Sequence, residues 1–298
     1  MFDFYACMKI FRKRADLTPY LQKLRKKGLK TGFVPTMGAL HAGHISLIAG
    51  CRKKCDITIC SIFVNPTQFN DPKDLEKYPR PVESDIELLI SGGCDILYLP
   101  EEGDVYPAGV KKKSRIPREK FDFGGIEKML EGASRPGHFA GVAQVVKILL
   151  DIVRPDKLFL GQKDYQQYLI LSNLVKKLKL KTKVVRCPIV REKNGLAMSS
   201  RNARLSAAAR DEAGIIYKTL KKTAANLLQG EMEACLKLGE ETINARPDFK
   251  VDYFELRHAD DLSPVRKFKK NSNYILITSV IVEGVRLLDN LLIGKENK

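Results

Sequence analysis

The sequence lacks any apolar run long enough to cross a bilayer. A helical span needs ~20 apolar residues, and the longest stretches, residues 274–282 and the interrupted 142–153, fall short. Residues 1–8 lack the apolar core of a secretory signal. A cytoplasmic protein without a membrane partner is expected. The seven cysteines (Cys7, Cys51, Cys55, Cys60, Cys94, Cys187 and Cys235) are odd in number and include no C-x-x-C pair. That argues against a disulfide framework or a zinc ribbon. Cys51 and Cys55, one helical turn apart, would suit a metal pair, but free thiols in a reducing cytosol are the simpler reading. No repeat or low-complexity tract occurs. There is no Walker A sequence and no G-x-G-x-x-G, so a bound phosphate would have to be held by some other device.

What is present is ordinary globular composition: 298 residues, 44% hydrophobic and 29% charged. Such a length accommodates one large domain or two modest ones. The formal net charge is +17, which suits an anionic partner such as a phosphorylated substrate, or reflects a Lys-rich background. The basic clusters at 9–14, 23–30, 111–118, 176–183 and 266–270 are scattered and carry no interleaved aromatics. A nucleic-acid partner is therefore not expected.

Along the first two-thirds, short apolar runs alternate with amphipathic segments. Strands are expected at 32–36, 56–64, 95–99, 157–160 and 182–190, and helices at 44–54, 82–90, 141–152 and 164–177. That alternation predicts an α/β domain with a parallel sheet. Beyond about residue 190 the pattern changes. One helix over 206–228 capped by Ser206, a second over 231–245, a strand at 250–257 and two strands across a turn at Glu283–Gly284 make a smaller α+β domain. The turn Lys193-Asn194-Gly195 marks the junction, giving domains 1–189 and 190–298.

Three polar clusters each follow an expected strand: Pro35 to His44, Asn65-Pro66-Thr67-Gln68-Phe69, and Gly161-Gln162-Lys163-Asp164-Tyr165-Gln166-Gln167. Ligands of open α/β sheets bind at the carboxyl ends of strands, so the three are expected to converge. In the first, His41-x-Gly-His44 opens a helix. A helix N-terminus suits phosphate, and two histidines there could donate to its oxygens. The plain alternative is one histidine at the helix turn and one structural histidine. A fourth cluster, Met198-Ser199-Ser200-Arg201-Asn202, offers hydroxyls and a guanidinium for a phosphate-clasping lid; the alternative is an N-cap and a turn.

Taken together and in order, PTMGALHAGH, IFVNPTQF, YPR, GHFAGV, LFLGQKDYQQ and VREKNGLAMSSRN closely resemble the pantoate–β-alanine ligase family, from about Met8 to about Arg204, with VDYFELR similar to its C-terminal strand. Residues 1–7 look like an extension before a start at Met8. The resemblance implies a Rossmann-like nucleotidyltransferase domain with a parallel sheet and a smaller α+β C-terminal lid domain. It implies adenylation of pantoate by ATP, followed by attack of β-alanine, with Mg2+ accompanying the triphosphate and the chain working as a homodimer in the cytoplasm. By motif match, Met37, Gly38, Ala39, Leu40, His41, Ala42, Gly43 and His44 would line the ATP site, with His44 catalytic and His41 assisting. Gly161, Gln162, Lys163 and Asp164 would grip ATP, and Lys163 would also serve catalysis. Val190 would contact the adenine side, and Met198, Ser199, Ser200 and Arg201 would clasp the phosphates. Gln68 and Gln167 would hold pantoate. Asp85 would be a magnesium ligand, although Ser84 replaces one member of the family's acidic pair. Gln162 stands where the family often has Glu. Arg135 and His138 are secondary candidates, each open to a structural reading.

Two rivals follow from the same residues: another adenylate-forming or nucleotidyl-transferring enzyme with a different acceptor, and a basic RNA-binding relative of the aminoacyl-tRNA synthetases. The paired glutamines argue against the first, and the roughly 100 residues beyond the junction leave little room for the RNA-binding domain that the second needs.

Overall fold

The computed structural model describes residues 8–70, 72–107 and 121–294. Cys7 and the basic run 111–118 lie outside the described residues. Two compact units form: residues 1–161 with 170–187, and residues 162–169 with 188–298.

In the first unit the β-branched and apolar runs become six parallel strands: β1 (Lys9–Phe11), β2 (Thr31–Thr36), β3 (Ile57–Ile62), β4 (Ile96–Tyr98), β5 (Lys157–Gly161) and β6 (Lys183–Cys187). Their order is β1-β4-β3-β2-β5-β6, and every pairing is parallel. The central strands read as near-continuous apolar runs because both sheet faces are buried. In this order β2, β3 and β4 progress one way across the sheet, and β5 and β6 the other. The topological switch point therefore falls between β2 and β5, where open α/β sheets bind ligands. Val34, Ile48, Cys60, Leu89, Leu97 and Phe159 share one fully buried cluster, in which the helices Ala42–Arg52 and Val82–Ser91 pack on β2 and its neighbours.

In the second unit β7 (Phe249–His258), β8 (Tyr274–Val282) and β9 (Val285–Ile293) form an antiparallel meander. The two-residue turn at Glu283–Gly284 has positive φ at both positions (48° and 74°), the geometry whose twist matches a hairpin. The helices Ile215–Asn226 and Met232–Asn244 cover the sheet around Leu220, Ile243, Phe254, Leu276 and Val280.

The α/β and α+β classes agree with the sequence reading. Besides short helices at Pro72–Glu76, Glu102–Val105 and Glu131–Ser134, three elements differ from it. The single helix expected over 206–228 is broken into Ala207–Glu212 and Ile215–Asn226. Gly214 sits so close to the Asn194 carbonyl that a Cβ there would lie 2.4 Å from its oxygen, and the chain turns to make that contact. Ser206 does cap the first piece, accepting from the Ala209 N–H at 3.2 Å. The short edge strand β1 and the helix Arg14–Lys26 were not foreseen; the helix carries Pro19 in its interior, a residue that normally stops helices. Among the described residues, no helix is long and apolar enough to cross a membrane.

Candidate active site

The chain leaves the carboxyl end of β2 through a tight loop before entering the helix Ala42–Arg52. Gly38 and Ala39 both have positive φ, 81° and 50°. An alanine pays for that backbone geometry with strain of about 1–2 kcal/mol, so something must hold it. The holder is Asp85, near the start of the helix Val82–Ser91. Its Oδ2 accepts from the Ala39 N–H at 2.8 Å and its Oδ1 from the Leu40 N–H at 2.6 Å. A Cβ on residue 38 would lie 3.0 Å from Oδ2, so glycine lets the carboxylate approach. Asp85 is only 1% exposed. Burial pushes its carboxyl above the ordinary range, and the two backbone bonds pull the other way. Both oxygens of Asp85, the residue expected to hold magnesium, are turned to the loop backbone, so the carboxylate anchors the loop. Among the described residues, no group of three or more His, Cys, Asp or Glu side chains is arranged to hold a metal ion.

His41 is the N-cap of the following helix, and the two histidines satisfy its first turn reciprocally. The His41 Nδ1 accepts from the Gly43 N–H at 3.1 Å, and the His44 Nδ1 accepts from the His41 N–H at 3.3 Å. Their rings lie 4.1 Å apart, centroid to centroid. A nitrogen that accepts a backbone N–H carries no proton, so each neutral imidazole has its proton on Nε2. The helix end thus offers two Nε2–H donors beside the positive end of a helix dipole, an arrangement suited to phosphate oxygens. Capping and anion binding, the two readings open from sequence, are compatible: capping is what fixes the tautomer.

The loop after β3 is built on Asn65. Its Nδ2 donates to the Gln68 Oε1 (3.1 Å) and the Gly141 carbonyl (3.2 Å), and its Oδ1 accepts from the Tyr106 hydroxyl (2.9 Å) and the Thr67 hydroxyl (3.0 Å). Burial pushes the Tyr106 hydroxyl up to about 12, so it stays a donor at any working pH. Gln68 is buried, and its Nε2 lies 2.8 Å from the Met37 sulfur. The loops after β2 and β3 therefore meet, as expected for the first two clusters. The helix His138–Val153 packs its first turns on the Thr67–Gln68 turn. His138 Nδ1 lies 2.8 Å from the Gln68 carbonyl, and a Cβ on Gly141 would lie 2.5 Å from the Thr67 carbonyl. Arg135 lies 3.3 Å from the other ring nitrogen of His138. Arg135 and His138 thus support the Gln68 turn.

Gly161 closes β5; the residues after it belong to the second unit. There Lys163 pairs with Asp164 at 3.1 Å, and Gln167 is half-buried. Val190 and Met198 are joined by the Met198 N–H to Val190 carbonyl bond (3.0 Å), which closes the turn 191–197. Ser199 caps the short helix Ser200–Arg204 by accepting from the Arg201 N–H at 3.2 Å. The Asn202 amide donates to Glu192 (2.7 Å) and to the Ala197 carbonyl (3.1 Å), fixing the loop from behind. So Val190, Met198, Ser199, Ser200 and Arg201 form one structured loop, and Gln162–Asp164 form another.

Sequence reasoning gave no role to Asn65, Tyr106 or Gly141. Asn65 and Gly141 stand within family-like motifs (IFVNPTQF and GHFAGV), which mark them without giving a role. Tyr106 has no local signal, because its partner Asn65 lies 41 residues away.

A sequence model of the pantoate-beta-alanine ligase family matches residues 9–292. Similar proteins include the pantothenate synthetases of Cytophaga hutchinsonii, 42% identical over 280 residues (93% of this chain, 96% of the relative), and of Porphyromonas gingivalis, 40% identical over 284 residues (95% and 99%). Among solved structures, the pantothenate synthetase of Thermus thermophilus superimposes with a TM-score of 0.84 at 36% identity, covering 97% of this chain and 100% of that one. The pantoate-beta-alanine ligase of Francisella tularensis, solved in complex with beta-gamma ATP and beta-alanine, gives 0.78 at 37% identity, covering 96% and 98%.

Proposed function

The chain belongs to the pantoate–β-alanine ligase family; it is a ligase that joins pantoate to β-alanine with ATP as cosubstrate, and we propose that its own residues divide the work as follows. A carboxylate is a poor acyl donor at neutral pH, because its leaving group would be oxide. In the first step a pantoate carboxylate oxygen attacks the α-phosphorus of ATP. An oxygen–phosphorus bond forms, the bond from the α-phosphorus to its bridging oxygen breaks, and pyrophosphate leaves. In the second step the β-alanine nitrogen attacks the activated carbonyl, loses a proton, and AMP leaves.

Catalysis of such a transfer is mostly alignment and charge stabilisation. His44 donates its Nε2–H to a phosphoryl oxygen as negative charge builds there, and His41 donates beside it. The reciprocal cap supports this reading, since it fixes the donating tautomer before substrate arrives. Met37 to His44 and Gly161 to Asp164 line the ATP site, Val190 serves the adenine side, and Met198 to Arg201 clasp phosphates. Lys163 balances triphosphate charge. Gln68 and Gln167 hold pantoate, each amide supplying a donor and an acceptor without adding charge. The hydrogen bond from Asn65 to the Gln68 oxygen supports this by fixing which end of the Gln68 amide donates.

Magnesium would accompany the triphosphate as its counter-ion and would neutralise phosphate charge; Asp85, the ligand that the resemblance implies, has both carboxylate oxygens bonded to the loop backbone. The division into an ATP- and pantoate-binding domain (1–189) and a lid domain (190–298), a homodimeric state, a cytoplasmic location and the absence of a nucleic-acid partner complete the proposal.

The observation that carries it is the pair of mutually capped histidines at the helix start after β2. The test is AMP release by purified protein. Release is expected only with pantoate, β-alanine and ATP all present, whereas nucleotidyl transfer to another acceptor would leave an adenylated product and no AMP. His44→Ala should lower turnover on the order of 10²–10³-fold with the fold intact; near-normal turnover would remove His44 from its role.

A further inference from the structure

The strand β9 carries two polar residues where its pattern calls for apolar ones. Val285 and Leu287 face the core of the second unit, and by strand alternation Asp289 faces it too; Asn290 points to the opposite side, yet both are buried, at 3% and 1% exposure. Each is bonded to a loop. The Asn290 Nδ2 donates to the carbonyls of Gln162 and Lys163, both at 3.0 Å, and its Oδ1 accepts from the Gln162 Nε2 at 3.2 Å. Asp289 holds Arg191 through two parallel bonds of 2.6 and 2.9 Å. Arg191 in turn donates to the Gly195 carbonyl at 3.1 Å and stacks over the Tyr217 ring at 3.5 Å. The Asn290 N–H donates to the Asp289 Oδ1 at 2.7 Å, which links the two halves.

Stability is a weak reason for such a group. Exchanging a buried ion pair for well-packed apolar residues is often neutral or favourable. What an apolar pair could not do is dictate where two loop backbones sit. We propose that Asp289 and Asn290 are positioning residues, a shared anchor on β9 that sets the geometry of loop 162–164 through Asn290 and of loop 190–201 through Arg191. The inference rests on the assignment of those loops to ATP. It explains why the two segments need no glycine-rich cradle of their own: a rigid strand supplies the order that such loops otherwise draw from their own backbone. It also accounts for Gln162, whose side chain bonds to the anchor while its carbonyl does the same.

The test is Asn290→Asp in the full-length protein. The shape is kept, but an oxygen replaces the donor that faces two carbonyls. The KM for ATP should rise about tenfold or more, since misplacement by an ångström can cost up to ~10²-fold. The KM for pantoate should stay within about twofold; the thermal midpoint should fall, because the new carboxylate is buried against two carbonyls. Asn290→Ala, which unpairs the carbonyls without adding charge, carries the same kinetic expectation with a smaller loss of stability. Asp289→Asn, which removes one of the two carboxylate oxygens that accept from Arg191, should raise the ATP KM several-fold. Folded Asn290 variants with unchanged ATP KM would overturn the proposal. So would equal loss in every constant together with a lowered midpoint, or failure of both variants to fold, because each outcome assigns Asn290 to folding alone. Lys163→Ala separates the two levels. If it leaves the ATP KM unchanged, the ATP assignment of the loop is wrong; if it raises that KM while Asn290→Asp does not, only the anchor is wrong.

Discussion

Replacing Asp85 with Asn tests whether one buried carboxylate shapes the loop after β2, proposed to line the ATP site. The native oxygens accept from two consecutive backbone N–H groups, at 2.8 and 2.6 Å. An amide can accept only one of them and must turn its NH2 toward the other. A hydrogen bond to a charged group contributes about 1.5–3 kcal/mol, and a buried donor left unpaired costs about 1–3 kcal/mol. Relief of the carboxylate's burial penalty, visible in its raised titration, offsets part of the sum. A net loss of about 2–3 kcal/mol is expected, measured as a lowered denaturation midpoint with unchanged slope. Without the anchor, Ala39 relaxes from its positive φ. His41, two residues on, would then shift, and kcat/KM for ATP should fall on the order of 10–10²-fold. Excess magnesium should not restore the variant. A folded Asp85→Asn protein with native ATP kinetics would refute the reasoning, and rescue by magnesium would return Asp85 to the role of metal ligand.

Three further outcomes are expected. Gly141→Ala places a Cβ 2.5 Å from the Thr67 carbonyl; about 1–3 kcal/mol of stability should go, and the KM for pantoate should rise more than that for ATP, because the displaced turn carries Gln68. Asp156 is half-exposed and accepts from the Thr31 N–H at 2.8 Å beside Lys30; burial works against its ionised form, but these partners hold its carboxyl below the ordinary range. Its folded value being the lower one, the stability it adds is present above the unfolded value near 4 and is lost as pH falls through the folded value. Asp156→Asn should therefore be less stable than wild type at pH 7, by under about 1 kcal/mol after solvent screening, and the gap should close in acid unfolding curves. Burial pushes the Cys51 and Cys94 thiols up to about 12 and holds Cys60 well above the ordinary thiol range. Among the six described cysteines, a disulfide reagent at pH 8 should label only half-buried Cys55 at an appreciable rate until denaturant is added.

Most elements and the chemistry were legible in the sequence because both are local. The apolar runs that became β2 to β6 announced strands through side-chain period and β-branching, and the histidine pair announced a helix start through its spacing of three. The order of the post-strand clusters carried the family and its reaction. What tertiary structure decided is everything that joins distant positions. Asp85 meets the loop 45 and 46 residues before it, and Asn290 meets residues 127 and 128 before it. The break at Gly214 and the assignment of residues 162–169 to the second unit are likewise invisible in any window of sequence. A residue's own chemistry is printed in the chain; the partner that turns a carboxylate into a loop anchor, or an asparagine into a brace, exists only once folding has closed the distance.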